Sequence, residues 1–75
     1  MEENIQNVLV FTTNIKTKLD KRKVSNILNT NTDIIKWNID TQDIDCVLRI
    51  VTNKLSISQI IETIKQHNFE CEVLE

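Results

Sequence analysis

Apolar positions along the chain switch between two spacings, every second residue and every third or fourth, and the switches mark out six elements. Over residues 8–15, Leu9, Phe11, Thr13 and Ile15 alternate with Val8 and Val10, which predicts a strand. Leu19, Val24, Ile27 and Leu28 then predict an amphipathic helix over Lys18–Asn29. A polar turn over 29–33 leads into a second strand, Ile34–Asp40, with Ile35, Trp37 and Ile39 on one face and Lys36, Asn38 and Asp40 on the other. A hairpin-type connection over 41–45 reaches a third strand over 46–52, in which Cys46, Leu48 and Ile50 share a face. Ser56 with Gln59 three residues on forms a capping box, and Leu55 with Ile60 a hydrophobic staple. These open a second helix with the stripe Ile57, Ile60, Ile61 and Ile64. His67-Asn68 closes it, with Asn68 as the left-handed residue past its end. The last strand, 69–74, puts Phe69, Cys71 and Val73 on one face.

The predicted order is therefore βαββαβ. Two helices with one apolar side each must cover one face of a four-stranded antiparallel sheet. That is the α+β, ferredoxin-like arrangement, with the first and third strands at the centre. It hosts many functions, so function has to be read from sites.

Composition narrows the field. Seventy-five residues make one domain, 1–75, which buries only about 60% of its unfolded surface and leaves little room for a deep cavity. With 40% apolar and 27% charged residues the chain is globular rather than disordered. It has neither glycine nor proline, and asparagine supplies the left-handed turns instead. No apolar run reaches the roughly 20 residues of a membrane helix. The start Met1-Glu2-Glu3-Asn4 lacks the pattern of a secretory signal, so a cytoplasmic chain without membrane insertion is expected. Cys46 and Cys71 are too few and too far apart for a disulfide framework or a zinc site. A net charge of −2 gives no basic footprint for nucleic acid.

From 8 to 74 the chain resembles the heavy-metal-associated domain family, the small copper-chaperone-like and metal-ATPase domains. The resemblance is carried by Phe11-Thr12-Thr13-Asn14-Ile15 before the first helix with Val24 beyond it. Trp37-Asn38-Ile39-Asp40, Val47-Leu48-Arg49-Ile50 and the ending Ile64-Lys65-Gln66-His67-Asn68-Phe69-Glu70-Cys71-Glu72 carry it further. The family's CxxC motif after the first strand is absent. Counting back from Val24 puts Thr17 and Asp20 at its two cysteine positions. A soft monovalent metal needs thiolates, which a hydroxyl and a carboxylate do not replace. Thr17-Lys18-Leu19-Asp20 instead fits a helix-capping signature. The family's metal site thus reads as converted into a cap, with no metal and no cofactor implied. The alternative is a metal-binding, metal-transport or regulatory protein with atypical ligands. Against it, Cys46 and Cys71 fall on apolar strand faces, and His67 has no ligand cluster around it.

Two further features bear on partners. Lys16, Lys18, Lys21, Arg22 and Lys23 are five of the nine basic residues; set against Asp20 they leave +4 in this segment and −6 elsewhere. Such a run is either a solvated face or a docking surface for an acidic or anionic partner. In the resembling family, lysines beside the metal loop help dock acidic partner domains. Val8, Val10, Val47 and Val51 point away from the helices and would form an apolar strip for self-association, or serve simply as good strand formers. Catalysis is not expected. No supporting cast surrounds the single histidine, and no glycine-rich phosphate loop exists. Val47, Arg49 and Val51 replace the aromatics on which an RNA-recognition sheet stacks bases. The expectation is a non-catalytic interaction module.

Overall fold

The computed structural model describes residues 7–74, so the acidic start at Met1–Asn4 lies outside the described residues. Six elements follow one another: β1 (Asn7–Thr13), α1 (Lys18–Asn29), β2 (Ile34–Asp40), β3 (Val47–Thr52), α2 (Ile57–Gln66) and β4 (Cys71–Val73). The strands form one antiparallel sheet in the order β2-β3-β1-β4. This is the expected ferredoxin-like arrangement. Phe11 pairs with Leu48, Trp37 with Ile50 and Thr13 with Cys71, so the alternate apolar residues of neighbouring strands fall into register on one face. On that face Phe11, Leu48, Ile50, Ile39 and Cys71 meet Val24 and Leu28 of α1 and Ile60 and Ile64 of α2.

Several boundaries differ from the periodicity, each for a local reason. β1 ends at Thr13, because the Ile15 N–H turns back to donate to Thr13 Oγ1 at 3.2 Å. Ile15 still plugs fully into the core from outside the ladder. Leu19 is exposed rather than on the stripe. It stands five residues before Val24, about 140° around the helix from it. In β2 a bulge between Ile34 and Lys36 swaps the roles of neighbours: Ile34 packs on the core and Ile35 is 49% exposed. Cys46 precedes β3 with φ of 46° and is buried outside the main apolar cluster, so it does not share the face of Leu48 and Ile50. β4 is only three residues long; Phe69 packs against the core ahead of it and Val73 stays 39% exposed.

Without glycine, left-handed backbone falls on Asn68, with φ of 70°. The Asn68 N–H donates to the Lys65 carbonyl at 3.0 Å and the Phe69 N–H to the Ile64 carbonyl at 3.4 Å. This pair of bonds is the Schellman closure of a helix, and Phe69 supplies its apolar contact.

Candidate functional site

The segment between β1 and α1 is tied down from both sides. Thr13 Oγ1 donates to the Cys46 carbonyl at 2.7 Å, and the Thr13 N–H to the Asp45 carbonyl at 3.0 Å. On the β4 side, Asn14 Oδ1 accepts from the Glu70 N–H at 2.9 Å. Ile15 anchors the middle, so Thr17 is delivered to the helix start with extended backbone, φ −102° and ψ 166°. Thr17 Oγ1 accepts from the Asp20 N–H at 3.0 Å. Asp20 Oδ2 in turn accepts from the N–H groups of Thr17 at 3.2 Å and Lys16 at 3.3 Å. This is a complete capping box. The N–H groups of Lys16 and Thr17, helped by the charge of Lys23, hold the Asp20 carboxyl below its ordinary value of 3.8. The Thr17 and Asp20 side chains are therefore both engaged with backbone at the helix start.

Around this cap Lys16, Lys18, Lys21, Arg22 and Lys23 are all exposed. Among the described residues the one ion pair is Lys54 with Asp33 at 3.8 Å, so none of these five cations is held in a salt bridge. They surround the positive end of α1, where a cation opposes the helix dipole and an incoming anion complements it.

The two cysteines do not converge. Cys71 pairs with Thr13 from the β4 side of β1, and Cys46 meets Thr13 from the other side. Their backbones are thus separated by roughly two strand spacings, ~10 Å. Both are free and buried, and burial pushes the Cys71 thiol up to about 11. Among the described residues no three side chains of His, Cys, Asp or Glu gather as metal ligands.

The valine strip is narrower than expected. Val8 is exposed and Val10 half-buried, but Val47 and Val51 are buried. Val51 lies on a central strand between Val8 and Lys36, and Arg49 sits between Val10 and Asn38, which breaks the strip in the middle. Neighbours on both sides leave little of a central valine for a partner to touch.

An open groove of about 760 Å³ between the helices did not emerge from periodicity. Lys23, Ile27 and Thr30 line it from α1, Thr63 and His67 from α2, and Phe69 from the corner. His67 Nδ1–H donates to the Thr63 carbonyl at 2.9 Å, which leaves Nε2 uncommitted to that bond. Ile27 and Phe69 carry the only sequence signal, because both sit at core spacing yet remain half-exposed. Among the described residues no helix is long and apolar enough to cross a membrane. No protein-family model matches the chain, and no curated protein or solved structure matches it either.

Proposed function

We propose that the chain is a non-catalytic interaction module of heavy-metal-associated type, in which a capping box stands where the family has its thiolates. Lys16, Lys18, Lys21, Arg22 and Lys23 dock an acidic protein surface. One observation supports this reading above the rest: five exposed cations crowd one helix start, and no carboxylate among the described residues pairs with them. Charges placed in this way steer an oppositely charged partner and fix its orientation more than they add raw affinity. The cap keeps the segment ordered without an ion. The docking surface is therefore already formed when the partner arrives.

The test uses two titrations of the reduced chain followed by amide shifts. A hexaglutamate peptide is expected to move the amides of residues 16–24, and the effect fades with added salt. The triple variant Lys21→Glu, Arg22→Glu, Lys23→Glu abolishes it. Shifts spread evenly over the chain, or unchanged in the triple variant, reject the docking surface. Copper(I) is the second titrant, with Trp37 fluorescence as a parallel readout. Tight stoichiometric binding centred on Thr17 and Asp20 rejects the non-metal reading in favour of a metal carrier with atypical ligands.

A further inference from the structure

The sheet order leaves two edges of very different quality. β4 is three residues long, whereas β2 runs for seven residues and has β3 on one side only. A long edge strand presents a row of backbone donors and acceptors that either need blunting or await a partner. We propose that two copies of this chain pair antiparallel along β2 about a two-fold axis at Asn38, joining the two sheets into one of eight strands.

The partner is identified by the charge pattern of the strand itself. Lys36, Asn38 and Asp40 share the open face and are all exposed. Antiparallel pairing centred on Asn38 sets Lys36 against the partner's Asp40, Asp40 against the partner's Lys36, and Asn38 against the partner's Asn38. Both charged pairs are then opposite in sign, and directly opposed ionic pairs are a unit of sheet stabilisation. Centring the pair on Lys36 or on Asp40 instead places like charges face to face. The same operation on β4 places Glu72 against the partner's Glu72, so the short edge rejects what the long edge accepts. A lone lysine on an edge strand is an ordinary device against stray pairing. Here an aspartate four residues on converts it into a selector for this one register.

The apolar side agrees. The core face of the same register brings Trp37 beside the partner's Ile39. The Trp37 ring is already fixed, because its Nε1–H donates to Asn29 Oδ1 at 2.9 Å. A concavity of about 320 Å³ lies beside the strand, lined by Ile34, Ile35, Lys36 and Trp37 together with Asn29 from the end of α1. The bulge between Ile34 and Lys36 shifts the register there, so the regular stretch of the strand available for pairing is 36–40. Because the contact is isologous, it closes as a dimer and does not propagate.

The proposal is independent of the docking reading above. β1 and β2 run the same way, since each is antiparallel to β3. The two-fold axis therefore sends the two α1 starts, with their cations, to opposite ends of the double sheet.

Sedimentation equilibrium of the full chain over a wide concentration range tests it. The parent is expected to reach a dimer. Lys36→Glu and Asp40→Lys, each checked for native circular dichroism, weaken it by about tenfold or more, because each turns both opposed pairs into like charges. The double variant Lys36→Glu, Asp40→Lys restores it. In a dimer of labelled and unlabelled chains, filtered NMR is expected to show Trp37 against the partner's Ile39. A parent that stays monomeric throughout, single variants that dimerise as well as the parent, a double variant that fails to recover, or a dimer without the Trp37 contact overturns the proposal.

Discussion

Asp20 accepts two backbone N–H groups at the start of α1. The bonds are to the ionised carboxylate, so the folded state holds its pKa below the ordinary 3.8. The stabilisation is fully present above that value and is lost as pH falls through the folded pKa. Asp20→Asn keeps an acceptor oxygen but does not titrate. Its unfolding free energy should be lower than the parent's at neutral pH and should decline less between about pH 5 and 2. Thr17→Ala removes the other half of the box and should cost about 1 kcal/mol by urea denaturation. It should flatten the acid limb less than Asp20→Asn does, because the backbone N–H groups of Lys16 and Thr17 lower the Asp20 pKa more than the Thr17 side chain does. Parallel acid limbs for parent and Asp20→Asn contradict the assignment. This cap was legible in the sequence because its chemistry is local, two side chains three residues apart. Asn68 was legible for the same reason, as the residue that best replaces glycine past a helix end. Cys46 was not. Its φ of 46° is set by closure of the β2–β3 connection, where its N–H donates to the Asp43 carbonyl at 2.9 Å, and nothing in a cysteine announces a left-handed backbone.

The elements themselves were recovered from periodicity alone, and α1 and β2 to the residue, because spacings of two and 3.6 are hard to confuse over seven or more positions. The failures came where one element is cut by its neighbours. β4 keeps ladder partners only over Cys71–Val73, and β2 inserts Ile35 as a bulge so that both Ile34 and Trp37 can face the helices. The bulge sits beside Thr52, the one fully buried polar residue among those described. Thr52 Oγ1 donates to the Asp33 carbonyl at 2.7 Å and accepts from the N–H groups of Lys54 and Leu55 at 3.2 Å. One hydroxyl thus joins the lead into β2, the end of β3 and the approach to α2. Thr52→Val preserves the shape and strands these backbone groups, so it should cost about 2–3 kcal/mol in chemical denaturation. Thr52→Ser, which keeps the oxygen, should recover most of that loss. A valine variant as stable as the parent would show that water replaces the hydroxyl without cost.

Across the molecule, charge is partitioned against the local interest of the fold. A chain of net −2 places five cations within eight residues at the end of α1 that favours anions. Each cation in the first turn opposes the dipole by a few tenths of a kcal/mol, and their mutual repulsion adds to this. If the segment existed only to keep the surface solvated, glutamates there would serve as well and fit the helix better. Lys18→Glu tests the distinction, because it replaces an opposing charge with a complementary one at the first residue of the helix. It should raise stability by about 0.5–1 kcal/mol, a rise in Tm of roughly 2–8 °C for a domain of this size. The gain should shrink in molar salt, where screening acts within about 3 Å. The same variant should bind hexaglutamate more weakly than the parent. A more stable chain that docks less well is the signature of a surface kept for a partner at the expense of the helix. Equal or lower stability in Lys18→Glu would mean that the cations carry no such cost, and the charge run would then be ordinary solvated surface.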